Sequence, residues 1–207
     1  MSALAQEFRK NKLSEYKTLT NVGPTMYWLD RFIVNLFAYF EWKQVILLFE
    51  KEYQEPETNF NCFLTMASLK AALFNANVVV DYKILDKLDP RPVEKILEDF
   101  VGNKYSIILL CGDHSFILNI MLAAKSLGFI NGEYAFINID LYAQLHHKNR
   151  LLKPWLNTKV HNESVIQTAI SAYDALLTVT LKFDSQVEKY NEFKKKMTKH
   201  EKDPNQV

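Results

Sequence analysis

The pairing with the most chemistry in this sequence is a thiol and an imidazole three positions apart, Cys111 and His114. A cysteine just ahead of a helix N-terminus has its thiolate stabilised by the free N–H groups there, and a nearby histidine can serve as base. The frame around it, Leu110-Cys111-Gly112-Asp113, lacks the small-x-nucleophile-x-small spacing of a strained elbow, and no arginine follows to hold a phosphate. Buried cysteines are mostly inert. An α/β enzyme with a Cys111 nucleophile is therefore kept as the alternative reading. Cys111 and His114 also resemble half a zinc site, but no second pair stands at ligand spacing, and the adjacent His146 and His147 point apart on any regular element. The five glycines are too few and scattered for a phosphate cradle or dinucleotide fingerprint, so no cofactor is expected.

Two further features bear on recognition. Glu50, Glu52, Glu55 and Glu57 make an acidic loop, most simply solvated, with Phe49, Tyr53, Phe60 and Phe63 crowded around it. Aromatics gathered at a polar loop are more often contact surface than aromatics at regular spacing. Asn162-Glu163-Ser164 is a glycosylation sequon that matters only in a secreted chain.

The elements that position these residues follow from periodicity. Ser106 to Cys111 is a near-continuous apolar run, which suits a parallel strand covered on both faces. Asp113 or Ser115 can cap the next helix, whose face is Ile117, Ile120, Met121 and Ala124 and whose stop is Gly128. Upstream, an extended piece is expected at Tyr16–Thr20, a turn at Val22–Thr25, and an amphipathic helix through Leu29, Phe32, Ile33, Leu36, Phe37 and Phe40. Strands are expected at Val45–Phe49, Val78–Leu85, Tyr134–Leu141 and Ala175–Leu181. Helical faces are expected at Cys62, Met66, Leu69 and Leu73, and, behind Pro92, at Val93, Ile96, Leu97, Phe100 and Val101. Tyr142 to Glu163 reads as a long loop, and a last helix runs from Asp184 or Ser185 through Val187, Tyr190 and Phe193. The alternation predicts an α/β fold, a parallel sheet with helices on both faces. The expected division is 1–20 as an extended polar segment, 21–197 as the α/β lobe and 198–207 as a polar tail.

The totals exclude several classes. Among 207 residues, 25 basic and 24 acidic side chains nearly cancel, so no general affinity for nucleic acid or anionic membrane is expected. No apolar run reaches the roughly 18–20 residues of a membrane span. The opening residues lack the continuous apolar stretch of a signal peptide, and these features alone read as a soluble, cytosolic chain in which both cysteines stay reduced.

An ordered set of short matches points elsewhere. Glu15-Tyr-Lys-Thr-Leu-Thr20 with Gly23-Pro24, Phe40-Glu-Trp42, Asn61-Cys62-Phe63, Ile107-Ile-Leu-Leu-Cys111, Ile120-Met-Leu-Ala123, Leu127-Gly128-Phe129 and Gly132 to Leu141 fall in sequence. From about Glu15 to Met197 the chain resembles the extracellular ligand-binding region of natriuretic peptide receptors and related receptor guanylate cyclases. The resemblance implies a type I periplasmic-binding-like fold, of which this stretch covers mainly one lobe of two, the membrane-proximal one. It implies a binding module without catalysis of its own and a natriuretic-peptide-like hormone as partner in the full-length receptor. A homodimer and a place on the extracellular face of the plasma membrane are implied as well.

The resemblance also implies roles for named residues. Cys62 and Cys111 match a disulfide of the family, and closing a loop of about 50 residues stabilises by roughly 4 kcal/mol in the chain-entropy model. Phe49 and Phe63 match aromatic hormone contacts, while Ala67 stands where the family has a glutamate and Leu85 where it has an aromatic. The expected contact surface is thus Phe49, Phe63 and Leu85 beside the Glu50–Glu57 loop, suited to a peptide with basic and apolar side chains. A structural or decoy fragment that has lost hormone binding is the further alternative.

Overall fold

The computed structural model of the protein describes residues 26–51, 62–86, 91–141 and 163–181, with Glu192 and Lys195. Ten elements follow in chain order: α1 (Met26–Tyr39), β1 (Gln44–Glu50), α2 (Cys62–Asn75), β2 (Val79–Leu85), α3 (Val93–Phe100), β3 (Ile107–Cys111), α4 (His114–Ser126), β4 (Ala135–Ile139), α5 (Glu163–Tyr173) and β5 (Leu176–Val179). The strands form one parallel sheet in the order β2-β1-β3-β4-β5. This is an α/β architecture with helices on both faces, consistent with the periplasmic-binding-like fold that the sequence leads one to expect.

Strand alternation sorts the core into two layers. Val45, Leu47, Phe49, Leu109, Cys111 and Ile137 face α1 and α2, while Ile46, Leu48, Ile108, Leu110 and Phe136 face α3, α4 and α5. Because β1 and β3 are covered on both sides, they read as unbroken apolar runs, and every residue from Val45 to Glu50 and from Ile107 to Cys111 is buried. β2 lies at the edge and is mostly exposed.

Local signals set the ends of α4. The Asp113 carboxylate accepts from the Phe116 N–H at 2.7 Å, so the cap is Asp113 and not Ser115. Gly128 at φ +74° ends the helix, and the Phe129 N–H reaches back to the Ala124 carbonyl. α5 was not foreseen from the sequence. Its buried positions are Ala169 and Ala172, residues too small to raise a strong apolar period. The expected extended piece at Tyr16–Thr20, the turn at Val22–Thr25, most of the Tyr142–Glu163 loop and all of the last helix but Glu192 lie outside the described residues. So do His146, His147, Asn162 and the acidic positions Glu52, Glu55 and Glu57.

One ionisable group sits at the α1–α2 packing. Asp30 accepts from the Ser68 hydroxyl at 2.8 Å, and its other oxygen, Oδ1, is buried without a hydrogen bond. Burial raises the carboxyl above its ordinary 3.8, and the Ser68 bond only partly opposes that. A carboxyl with a raised folded pKa contributes stability that is complete below the unfolded value and lost as pH climbs through the folded one. Asp30→Asn removes that loss. The variant is expected to show a higher urea midpoint than the parent at neutral pH, with the gap closing as pH falls below 3.8.

Candidate functional site

The carboxyl rim of the sheet gathers the residues singled out by the sequence. Phe49 and Cys111 are register partners on adjacent strands β1 and β3. Cys62, the first residue of α2, meets Cys111 in a disulfide with Cα atoms 5.5 Å apart. The bond ties a helix start to a strand end and spans 49 positions of chain. A nucleophile requires a free thiol, and the closed bond leaves none for His114 to activate. Gly112 follows because a Cβ there would be driven into the Phe116 ring.

Glu50 differs from its expected place in a solvated loop. It is buried at the end of β1, and its Oε2 accepts from the Asp113 N–H at 2.9 Å, joining the β1 end to the α4 cap. On that side a cavity of about 390 Å³ opens between α3 and α4, with Glu50, Leu85, Asp86, Arg91 and Phe116 in its wall. Among the described residues no group of three or more His, Cys, Asp or Glu is placed to hold a metal ion.

The three expected contact residues do not form one surface. Phe49 is 3% exposed and belongs to the core under α2, where its ring stacks on Tyr82 and lies 6.4 Å from Phe63. Leu85 is 5% exposed and belongs to the opposite core layer, under α3 and α4. Only Phe63, at 53%, presents its ring to solvent. The cause is the strand period of two, which sends Val79, Asp81, Lys83 and Leu85 to one face of β2 and Val80, Tyr82 and Ile84 to the other.

Tyr82 and Ile84 therefore share the face of Phe49 and Phe63, and both are exposed. The Lys70 ammonium lies 3.9 Å from the centre of the Tyr82 ring, close enough for a cation–π contact. Sequence reasoning missed this pair. The signal is the i, i+2 spacing of an aromatic and an aliphatic within the expected strand Val78–Leu85. The rim as built is a partly exposed aromatic surface, Phe63 and Tyr82 over a Phe49 floor, anchored by a disulfide. Its chemistry, ring faces beside an ammonium, is of the kind that suits apolar and cationic side chains.

Comparison with known proteins gives this rim its context. The sequence matches the family described as receptor family ligand binding region over residues 3–207. It is 26% identical over 179 residues to atrial natriuretic peptide receptor 3 of Bos taurus, covering 86% of this chain and 31% of that protein, and the same figures hold for the Homo sapiens receptor 3. To atrial natriuretic peptide receptor 2 of Rattus norvegicus it is 23% identical over 190 residues, 90% of this chain and 17% of that protein. The chain thus spans about a third of the receptor 3 relatives and less than a fifth of the receptor 2 relative. Among the described residues no helix is long and apolar enough to cross a membrane. With the match running through both core layers and the rim, this chain belongs to the receptor family ligand-binding region, a region that binds and does not catalyse.

Proposed function

We propose that this chain is a lobe of the ligand-binding region of a peptide-hormone receptor of the natriuretic peptide type. The receptor acts as a homodimer and presents this lobe on the extracellular face of the plasma membrane. The peptide lies along the carboxyl rim on the α2 side, with an apolar side chain against Phe63 and Tyr82. The observation that carries the reading is the exposed Phe63 ring one residue from the disulfide that fixes its backbone. A large apolar side chain held rigidly at a rim has little conformational entropy left to lose on binding.

Leu85 has no part in this contact, because it lies under the other helical layer, and Phe49 acts as the floor that sets the Phe63 and Tyr82 rings. Calorimetric titration of a natriuretic peptide into the oxidised chain tests the reading. Saturable binding is expected, weaker after Phe63→Ala by about thirtyfold, the lower bound for an interface hot spot. A flat titration at peptide concentrations up to the millimolar range would overturn it.

A further inference from the structure

The edge strand β2 reads Val79-Val80-Asp81-Tyr82-Lys83-Ile84-Leu85, apolar, apolar, acid, aromatic, base, apolar, apolar. It is nearly symmetric about Tyr82 in residue class and opposite in charge across that centre. All seven residues pair with β1 on the inner side. No strand lies outside it among the described residues. It has neither proline nor glycine, so Asp81 and Lys83 are the only residues of the strand that blunt the edge, and Val79 and Tyr82 are 62% and 52% exposed. Native proteins seldom leave such an edge open.

The hydrogen-bond phase shows which backbone groups face outward. The Val79 N–H donates to the Lys43 carbonyl and the Leu85 carbonyl accepts from the Lys51 N–H, so the odd positions bond to β1. The N–H and C=O groups of Val80, Tyr82 and Ile84 therefore point away from the sheet. We propose that β2 pairs antiparallel with β2 of a second copy of this chain about a two-fold axis at Tyr82, joining the two sheets edge to edge.

In that register Tyr82 faces the partner's Tyr82, and Val80 faces the partner's Ile84, all in hydrogen-bonded pairs made by the outward groups. Asp81 falls opposite the partner's Lys83, and Lys83 opposite the partner's Asp81, in the non-hydrogen-bonded positions where side chains approach most closely. Slipping the register by two residues sets Asp81 opposite the partner's Asp81 or Lys83 opposite the partner's Lys83, so charge fixes the alignment. The Tyr105 hydroxyl donates to Asp81 and the Lys83 ammonium lies 4.5 Å from the centre of the Phe100 ring, which orders both groups on the α3 face before pairing. That hydrogen bond pushes the Tyr105 phenol up to about 12, keeping it a donor at neutral pH. The pairing stands on the strand alone and does not depend on the peptide reading.

Sedimentation of the full oxidised chain over a concentration series tests it. The parent is expected to form a reversible dimer. Asp81→Lys and Lys83→Asp, each of which puts like charges opposite twice, are expected to weaken that dimer by about tenfold or more. An equimolar mixture of the two single variants is expected to associate as tightly as the parent, because each copy then offers the other's complement. The Asp81→Lys/Lys83→Asp double variant is expected to regain the dimer by itself, which separates lost pairing from lost folding. A parent that stays monomeric overturns the proposal, as does a dimer that neither single variant weakens or that mixing does not restore. An edge occupied by peptide, so that the charge variants alter peptide affinity with no dimer at any concentration, also overturns it.

Discussion

Replacing Cys62 and Cys111 together by alanine is expected to cost about 4 kcal/mol of stability, the chain-entropy value for a loop of this length. For a chain of this size that corresponds to a fall in melting temperature of about 10 °C. The geometry explains why the loss is large. The bond closes a loop with 49 positions of separation that contains all of α2, β2 and α3, and its sulfurs lie in the core layer shared by Phe49 and Leu109. Breaking it frees the start of α2 from the end of β3, and the edge strand β2 is held to the body through α2 and β1. Differential scanning calorimetry of the parent with and without reductant, beside the double variant, reads the effect. An unchanged melting temperature on full reduction, verified by thiol counting, would show that native packing alone holds this rim.

Phe49→Ala is expected to destabilise the protein by about 3–5 kcal/mol, the usual range for removing a buried aromatic. The Phe49 ring is enclosed between α2 and the sheet and supports both Phe63 and Tyr82. Phe63→Ala removes a ring that faces solvent and is expected to stay within about 0.5 kcal/mol of the parent. Urea titration of both variants separates floor from contact. Equal destabilisation by the two substitutions would mean that Phe63 belongs to the core and is not a surface for a ligand.

The fold was largely legible because buried parallel strands leave a plain mark. Val45–Phe49 and Ile107–Cys111 are continuous apolar runs, and their limits in the sheet differ from that expectation by one residue at most. Asp113 and Gly128 announced both ends of α4. α5 left no comparable mark, since its buried positions are the two alanines Ala169 and Ala172, and a small buried side chain adds little to an apolar period.

The faces taken by Phe49, Phe63 and Leu85 were less legible, for a geometric reason. Phe49, Phe63 and Leu85 are all large and apolar and all close to the carboxyl rim, but nearness to the rim does not say which face of the sheet a side chain takes. Glu50 shows the same limit, because only the fold brings the Asp113 N–H to its carboxylate and turns an apparently solvated residue into a buried one.

The central claim is that the α2 side of the carboxyl rim, with Phe63 at its centre, receives a peptide. The most direct test is photocrosslinking from a benzoylphenylalanine placed at position 63, with the same group at Phe74 near the far end of α2 as the reference, since both side chains are exposed. A radiolabelled natriuretic peptide is expected to couple at position 63, to be displaced by excess unlabelled peptide, and to leave position 74 unlabelled. Labelling at position 74 with none at 63, or labelling at 63 that unlabelled peptide does not displace, would contradict the account.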